Sequence, residues 1–105
     1  MTRGDVYRVR LPSPRGHEQA GARYAVLLQN DALLPFSTAV VALTSRSAAP
    51  ATFRPEIEVR GESTRVMVEQ LRALDVERLG ELAGRLSPRE QLDVDDALAL
   101  VLDLR

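Results

Sequence analysis

The chain has 105 residues, 45% of them hydrophobic, and a formal net charge of -1. This is the size and composition of one globular domain, which we expect to span residues 1–105. With no cysteine and one histidine, a disulfide framework or a thiolate metal site is excluded, and we expect neither a metal ion nor another cofactor. No apolar stretch has the length of a membrane span or of a signal-peptide core, so we predict a cytoplasmic protein that does not contact membranes.

Charge is distributed unevenly along the chain. Residues 1–55 contain seven arginines and three acidic residues, whereas residues 56–105 contain seven arginines and twelve acidic residues. All 14 basic residues are arginine, which suits bidentate contacts with phosphate, although a GC-rich coding bias is the simpler explanation for the usage. The asymmetry permits a basic binding face on an otherwise acidic protein.

Three stretches in the first half of the chain predict β-strands. Residues 4–11 alternate between polar and apolar side chains, which is typical of a strand with one solvated face. A loop rich in proline and glycine then runs through Gly21 and is long for a hairpin connection. Residues 24–30 and 39–44 contain continuous apolar runs bounded by turn residues, which indicate strands buried on both faces.

The second half alternates short extended segments with turns. Residues 56–59 alternate in polarity and predict a strand, residues 61–63 a turn, and residues 65–71 a further strand. Residues 75–79 predict a single helical turn capped by Asp75. Residues 81–86 favour a short last strand, although their intrinsic preference for it is weak.

A C-terminal helix is the most strongly predicted element. Ser87 can cap its N-terminus, Pro88 suits its first position, and Glu90 completes a capping box. Apolar side chains at helical spacing then form one stripe: Val94, Ala97, Leu98, Val101 and Leu102. Several short strands and one terminal helix indicate a mainly β protein with helices (α+β), in which a small, strongly bent antiparallel β-barrel packs against that helix.

Two polar side chains at strand ends are the candidates for chemistry. Arg23 stands at the start of the second predicted strand and Thr44 at the end of the third, so antiparallel pairing would bring them together. A guanidinium and a hydroxyl that converge on one point can bind a phosphate without a metal ion. RNA carries its own nucleophile, the 2′-OH, so this pair suits RNA cleavage. A serine triad would depend on His17, the single histidine, and no spacing supports it.

The order of five motifs along the chain resembles that of the MazF/PemK toxin endoribonucleases. The motifs are Arg3–Tyr7, Glu18–Arg23, Val26–Asn30, Val41–Ser45 and Glu69–Arg72. The resemblance covers nearly the whole chain, from Arg3 to the last helix. It implies a homodimeric, SH3-like barrel that cuts single-stranded RNA, mRNA above all and tRNA or rRNA as alternatives, at short sequences. It also implies neutralisation by a cognate antitoxin.

The resemblance also assigns roles to residues. Arg23 and Thr44 match the family's catalytic pair, and Glu18 and Gln19 match loop residues that contact RNA. His17 stands where the family usually has serine, so the recognised bases should not be carried over, and Tyr24 stands where it usually has proline. The residues that we expect to contact RNA are His17, Glu18, Gln19, Ser45, Glu69 and Gln70.

A structural role is the alternative for each of these side chains. Arg23 would then form an ion pair with Glu18, Asp5 or Glu69, because pairing is the common fate of a half-buried arginine. The Thr44 hydroxyl would bind local backbone. His17 would be a solvated loop residue rather than a proton carrier, and which side chain moves the protons stays open between His17 and Glu18.

Two other functions fit the same predicted fold. The barrel resembles that of the CcdB gyrase poison, which binds a protein target and cuts nothing, and a bare RNA-binding module is a third reading. Leu33, Leu34 and Phe36 form an apolar patch after the second strand, and we predict that this patch lies in a subunit interface.

Overall fold

Seven β-strands and one α-helix make up the described part of the chain. The structure is a computed structural model, and it describes residues 1–10, 23–34 and 37–104. The strands are β1 (Asp5–Val9), β2 (Tyr24–Leu27), β3 (Thr38–Ser45), β4 (Glu56–Val59), β5 (Glu62–Val66), β6 (Arg72–Asp75) and β7 (Leu79–Arg85), and the helix is α1 (Pro88–Leu102). Single turns of 3-10 helix lie at Asp31–Leu33, Val68–Gln70 and Val76–Arg78.

The strands form one curled antiparallel sheet in the order β4-β5-β3-β2-β1-β7. The long strand β3 shares its second edge between two partners: Thr44 and Ser45 pair with β5, and residues 38–41 pair with β6. Because two strands diverge from one edge, the sheet bends there into a half-barrel. The prediction of a mainly β fold with a bent antiparallel sheet and one C-terminal helix is confirmed.

Apolar side chains pack on both faces of the central strands, because side chains alternate between the faces of a strand. Val26 and Ala42 belong to the cluster that helix α1 covers with Val94 and Ala97. Their neighbours along the strands belong to a second cluster on the other face: Ala25, Leu27, Ala39, Val41, Leu43, Leu74 and Leu79. All four residues of β2 are buried, as the continuous apolar run predicts.

Helix α1 begins as its sequence predicts. The Ser87 hydroxyl accepts a hydrogen bond from the Glu90 N–H at 3.1 Å, and the Glu90 carboxylate accepts one from the Ser87 N–H at 2.8 Å, which completes the capping box. The predicted stripe is one residue too long, because Leu102 is 49% exposed at the last turn. Within the described residues, no helix has the length and apolar character that crossing a membrane requires.

The prediction of a strand over residues 65–71 is wrong. Strand β5 ends at Val66, the 3-10 turn at residues 68–70 follows, and β6 begins only at Arg72. The alternation of Val66 and Val68 suggested one strand, but both side chains reach the cluster under the helix across a bend at Met67, whose ψ is 75°. The hairpin turn also comes earlier than predicted, because Arg60 and Gly61 adopt positive φ angles of 52° and 82°.

The remaining elements differ from their predictions mainly at the ends. The helical turn at Val76–Arg78 is capped as predicted, since the Asp75 carboxylate accepts a hydrogen bond from the Glu77 N–H at 3.0 Å. Strand β7 spans Leu79–Arg85 rather than residues 81–86, because its pairing with β1 extends it at the N-terminal end.

Candidate functional site

Arg23 and Thr44 meet at one edge of the sheet. Strands β2 and β3 pair antiparallel, with Ala25 opposite Leu43, so the start of β2 lies beside the end of β3. The Tyr24 N–H donates to the Thr44 Oγ1 at 3.3 Å, and the Arg23 Nε donates to the Thr44 carbonyl oxygen at 3.1 Å. The juxtaposition predicted from antiparallel pairing is therefore present.

The Thr44 hydroxyl is buried, and one of its lone pairs is in use. Only 2% of the residue is exposed, and its oxygen accepts the Tyr24 N–H, which belongs to the neighbouring strand rather than to the local backbone. A hydroxyl has one donor and two acceptor positions, so this contact leaves its own proton able to donate to a phosphoryl oxygen. The contact also fixes the rotamer of Thr44, because an occupied acceptor holds the oxygen in place.

Ser45 and Ser47 extend the polar surface beyond Thr44. Their hydroxyl oxygens lie 3.3 Å apart, Ser45 is half-buried and Ser47 follows the end of β3. Arg46 forms an exposed ion pair with Glu62 at 3.3 Å. Ser45 is adjacent to Thr44 in the chain, but successive side chains of a strand point to opposite faces, so the Ser45 hydroxyl belongs to the other face of β3.

Glu69 and Gln70 lie on the other flank of β3. They belong to the 3-10 turn that follows β5, and this segment is tied to β3 by the Met67 N–H, which donates to the Leu43 carbonyl oxygen at 2.9 Å. Strand β2 pairs with the opposite edge of β3. The structure therefore places Arg23 and Glu69 on opposite sides of one strand rather than in direct contact.

A half-buried ion pair engages the Glu69 carboxylate. Its Oε2 accepts hydrogen bonds from the Arg54 Nε at 2.9 Å and Nη2 at 2.7 Å, and both side chains are 23% exposed. Burial acts to raise the pKa of Glu69, but the hydrogen bonds and charge of Arg54, together with the Glu69 backbone and the Gln70 side chain, lower it overall. Its Oε1 is buried and accepts no hydrogen bond.

The sequence did not predict the contact between Arg54 and Glu69. Besides binding Glu69, Arg54 donates from Nη1 to the Ala49 carbonyl oxygen at 3.1 Å, and its guanidinium lies 5.5 Å from the centre of the Phe53 ring. The pair thereby pins the loop between β3 and β4. No spacing in the sequence signals it, because the two residues are 15 positions apart and meet only through the pairing of β3 with β5.

Three predicted site residues, His17, Glu18 and Gln19, lie outside the described residues. Asp5, Glu69 and Glu18 are the acidic residues with which Arg23 was predicted to pair if its role is structural. Asp5 pairs with Arg85, Glu69 pairs with Arg54, and Glu18 is not described. In the ranges that the structure covers, no cluster of three histidine or carboxylate side chains could hold a metal ion.

The described chain is thus a small half-barrel with a C-terminal helix, in which Arg23 and Thr44 lie together at the ends of two paired strands. The family model of PemK-like, MazF-like toxins of type II toxin-antitoxin systems matches residues 2–102. The chain belongs to this family.

Two relatives are similar over almost their full lengths. A candidate toxin of Mycobacterium tuberculosis is 42% identical over 106 residues, which cover 99% of both chains. The endoribonuclease MazF of Staphylococcus epidermidis is 34% identical over 111 residues, which cover 99% of this chain and 92% of the relative.

The fold is also shared with solved structures. An endoribonuclease from a mycobacterial species, solved in complex with its cognate antitoxin, superposes with a TM-score of 0.80 at 20% identity and covers 100% of this chain and 97% of its own. At that identity the likeness concerns the fold.

Proposed function

We propose that this protein is a metal-independent endoribonuclease that cuts single-stranded RNA at short sequences and acts as the toxin of a type II toxin-antitoxin system. The observation that carries the proposal is the contact of Arg23 with Thr44 at the β2–β3 edge. The family match and the endoribonuclease among the relatives support it. We further propose that the protein acts in the cytoplasm, where such RNA is found.

The pair suits a reaction in which RNA supplies the nucleophile. A base removes the proton of the 2′-OH as the 2′-oxygen attacks the adjacent phosphorus. The O2′–P bond forms, the P–O5′ bond breaks, and the 5′-oxygen receives a proton. Arg23 stabilises the extra negative charge of the phosphorane, because a preorganised guanidinium acts where charge develops. Thr44 holds a phosphoryl oxygen and so aligns the attacking hydroxyl. The products carry a 2′,3′-cyclic phosphate and a 5′-OH.

Proton transfer requires a group other than Arg23. An arginine does not lose its proton near neutral pH, so it is a poor base. Glu69 is also poorly suited, because Arg54 holds its pKa below the ordinary value of 4.5 and it lies on the far flank of β3. His17 and Glu18 are our candidates for moving the protons, with His17 favoured for a step near neutral pH.

Recognition of RNA involves a larger set of side chains. We propose that hydroxyls and amides beside the Arg23–Thr44 pair contact bases and phosphates, and mRNA is the preferred substrate over tRNA and rRNA. The candidates are His17, Glu18, Gln19, Ser45, Glu69 and Gln70. Of these, Glu69 would act through the oxygen that Arg54 already binds, so it positions Gln70 and the loop rather than reading a base by itself.

Assembly is the remaining part of the proposal. We propose a homodimer and a cognate antitoxin whose chain competes with RNA. Leu33 supports an interface at the predicted patch because 53% of it is exposed, whereas Leu34 packs against the second core cluster and Phe36 is not described. Light scattering of Leu33→Glu tests the patch: the variant should be monomeric, and an unchanged dimer would place the interface elsewhere.

Site variants separate this function from that of a gyrase-binding toxin. Cleavage of a long single-stranded RNA by Arg23→Ala should fall about 10³-fold and that by Thr44→Val about 10²-fold, since each loses a contact to the reacting phosphate. Arg89→Ala is the matched control, because Arg89 is an exposed arginine on helix α1 that pairs with Asp93 and with no other described residue. Full activity of both site variants would contradict the proposal, and a purified protein that cuts no RNA would favour the binder.

A further inference from the structure

Arginines of this protein divide into those that form ion pairs and those that do not. The following arginines form ion pairs with acidic side chains: Arg3, Arg8, Arg46, Arg54, Arg60, Arg65, Arg85 and Arg89. Arg10, Arg72 and Arg78 make no ion pair with any residue in the described ranges. Arg10 and Arg78 are exposed and are direct neighbours.

These two neighbours lie on the strands that continue the sheet from the candidate site. The Arg10 N–H donates to the Arg78 carbonyl oxygen at 2.8 Å, and the Val9 N–H donates to the Arg23 carbonyl oxygen at 3.2 Å. The end of β3, the start of β2, the end of β1 and the start of β7 therefore lie side by side at one sheet edge. Along that edge follow Thr44, Arg23, Arg10 and Arg78, with about 5 Å between neighbouring strands.

The carboxylates that the structure describes near this edge form no ion pair with Arg10 or Arg78. Glu81, on β7, is shared by Arg8 at 3.3 Å and Arg60 at 3.5 Å. Asp75 caps the turn that contains Arg78, and Glu77 forms no ion pair with a described residue. The Arg78 Nη1 donates to the Arg10 carbonyl oxygen at 3.4 Å. Two exposed guanidiniums without acidic partners among the described residues raise the local positive potential, which attracts an anionic chain.

The pairing of β1 with β7 is irregular next to these residues. The register shifts between Tyr7 and Val9, and a Cβ added at Gly80 would lie 3.3 Å from the Arg8 carbonyl oxygen, which is a tight contact between β7 and β1. Such irregularities increase the local twist of a strand. Arg10 follows directly after this part of β1.

We propose that Arg10 and Arg78 form a phosphate-binding row that continues the Arg23–Thr44 site across β1 and β7. The row contacts the backbone of single-stranded RNA beyond the cut phosphate and reads no base. The identity of the ligand as RNA rests on the proposed function. The test of the row measures binding and does not require cleavage. It predicts that the enzyme holds a longer piece of RNA than the cut site requires.

Binding measured against salt concentration tests the row. The probe is a random-sequence 2′-O-methyl RNA 12-mer, which cannot be cut because its nucleophile is blocked, and its binding is followed by fluorescence anisotropy. Each phosphate contact to a single strand contributes about 0.7 to the slope of log K against log salt. Arg10→Gln/Arg78→Gln should therefore lower the slope by about 1.4, so that raising salt from about 50 to about 200 mM weakens binding about sevenfold less than in the wild type.

The control and the contrary outcomes use the same assay. Arg89→Gln removes one exposed positive charge on helix α1 and should leave the slope within about 0.2 of the wild type. An equal slope for the double variant and this control would overturn the proposal. So would an unchanged RNA slope together with lost binding of a poly-glutamate peptide, which would make the row a protein-docking surface. A wild type that binds the 12-mer but cuts no RNA would refute the proposed function while leaving the row to be judged by its slope.

Discussion

The two ends of strand β1 use arginine in opposite ways. At its start, Arg3 donates from Nε to the Leu28 carbonyl oxygen at 2.8 Å and from Nη2 to Asp95 at 2.9 Å, while Arg85 lies 3.2 Å from the buried carboxylate of Asp5. At its end, Arg10 has no acidic partner among the described residues.

The two ends of β1 therefore differ in what their arginines contribute: those at the start contribute to the fold, and we propose that Arg10 at the end contributes to RNA binding. At the start of β1 the polar groups contact one another: Asp5 Oδ2 accepts the Thr2 N–H at 2.9 Å and the Tyr7 hydroxyl at 3.1 Å, and the Gly4 N–H donates to the Leu27 carbonyl oxygen at 2.8 Å. Asp5 Oδ1 accepts no hydrogen bond from a described residue and lies 3.2 Å from the Arg85 Nε, so this network contributes to the fold. We propose that the opposite end binds RNA through its arginines, so variants there should change RNA cleavage or binding and hardly change stability.

Arg23→Lys should give the largest effect, and on cleavage alone. Lysine keeps the charge but loses the planar guanidinium that contacts the Thr44 carbonyl oxygen and that we propose to contact the phosphate. We expect cleavage to fall about 10²–10³-fold, about 3–4 kcal/mol in transition-state stabilisation, with less than about 1 kcal/mol lost in unfolding. Kinetics and urea denaturation of the same preparation measure both. A large loss of stability with activity retained would reverse the contrast.

Asp5→Asn should act at the other end, on stability alone. The buried carboxylate loses its charge beside Arg85 and its acceptor strength toward Thr2 and Tyr7, which we expect to cost about 2–3 kcal/mol of unfolding free energy. Burial first, then the hydrogen bond and charge of Asp5, raise the pKa of Tyr7 against the opposing charge of Arg85. The tyrosine titration near 295 nm should shift to lower pH in Asp5→Asn, with Tyr7→Phe identifying the band. No shift would mean that Asp5 does not act on the phenol.

Gly4→Ala should also destabilise, by about 1–3 kcal/mol. Gly4 has a φ of +95°, and an added Cβ would lie 2.5 Å from the Gln91 Oε1. That oxygen ends a flexible side chain and can move, so the backbone conformation accounts for most of the cost. Gly84→Ala is the control, since nothing lies within 4 Å of its added Cβ. Equal thermal unfolding of the two variants would show that the start of β1 tolerates strain.

Glu69→Gln should give the smallest effect, and one that depends on pH. Since Arg54 lowers the pKa of Glu69 in the folded state, the pair's contribution is present above the ordinary value of 4.5 and is lost as pH falls through the lowered folded pKa. We expect the variant to be about 1–2 kcal/mol less stable near neutral pH, and the difference to shrink below about pH 4.5. Urea denaturation from about pH 3 to about pH 7 measures it. A difference that grew on acidification would show that Arg54 does not stabilise the charged form.

Local patterns in the sequence predicted the elements whose conformation depends on residues close together in the chain. The capping box at Ser87 and Glu90 and the buried run of β2 are of this kind, because each depends on neighbours in the chain. The antiparallel pairing of β2 and β3, and with it the meeting of Arg23 and Thr44, followed from chain order at a hairpin-like connection.

Contacts between segments that are distant in the chain could not be predicted from the sequence. The bend at Met67 depends on β3 exchanging one partner strand for another, which alternation of valines does not reveal. The same exchange brings Glu69 to Arg54, a contact that the sequence did not predict. Arg10 and Arg78, 68 positions apart, meet only because β7 returns to β1 across the sheet.

The ends of the RNA products test the central claim most directly. A defined single-stranded RNA is incubated with purified wild type and with Arg23→Ala in excess EDTA, and the new termini are identified by mass spectrometry. The account predicts 2′,3′-cyclic phosphate and 5′-OH ends from the wild type and about 10³-fold fewer cuts from Arg23→Ala. Ends that carry a 5′-phosphate, cleavage that stops in EDTA, or equal cutting by the variant would contradict it.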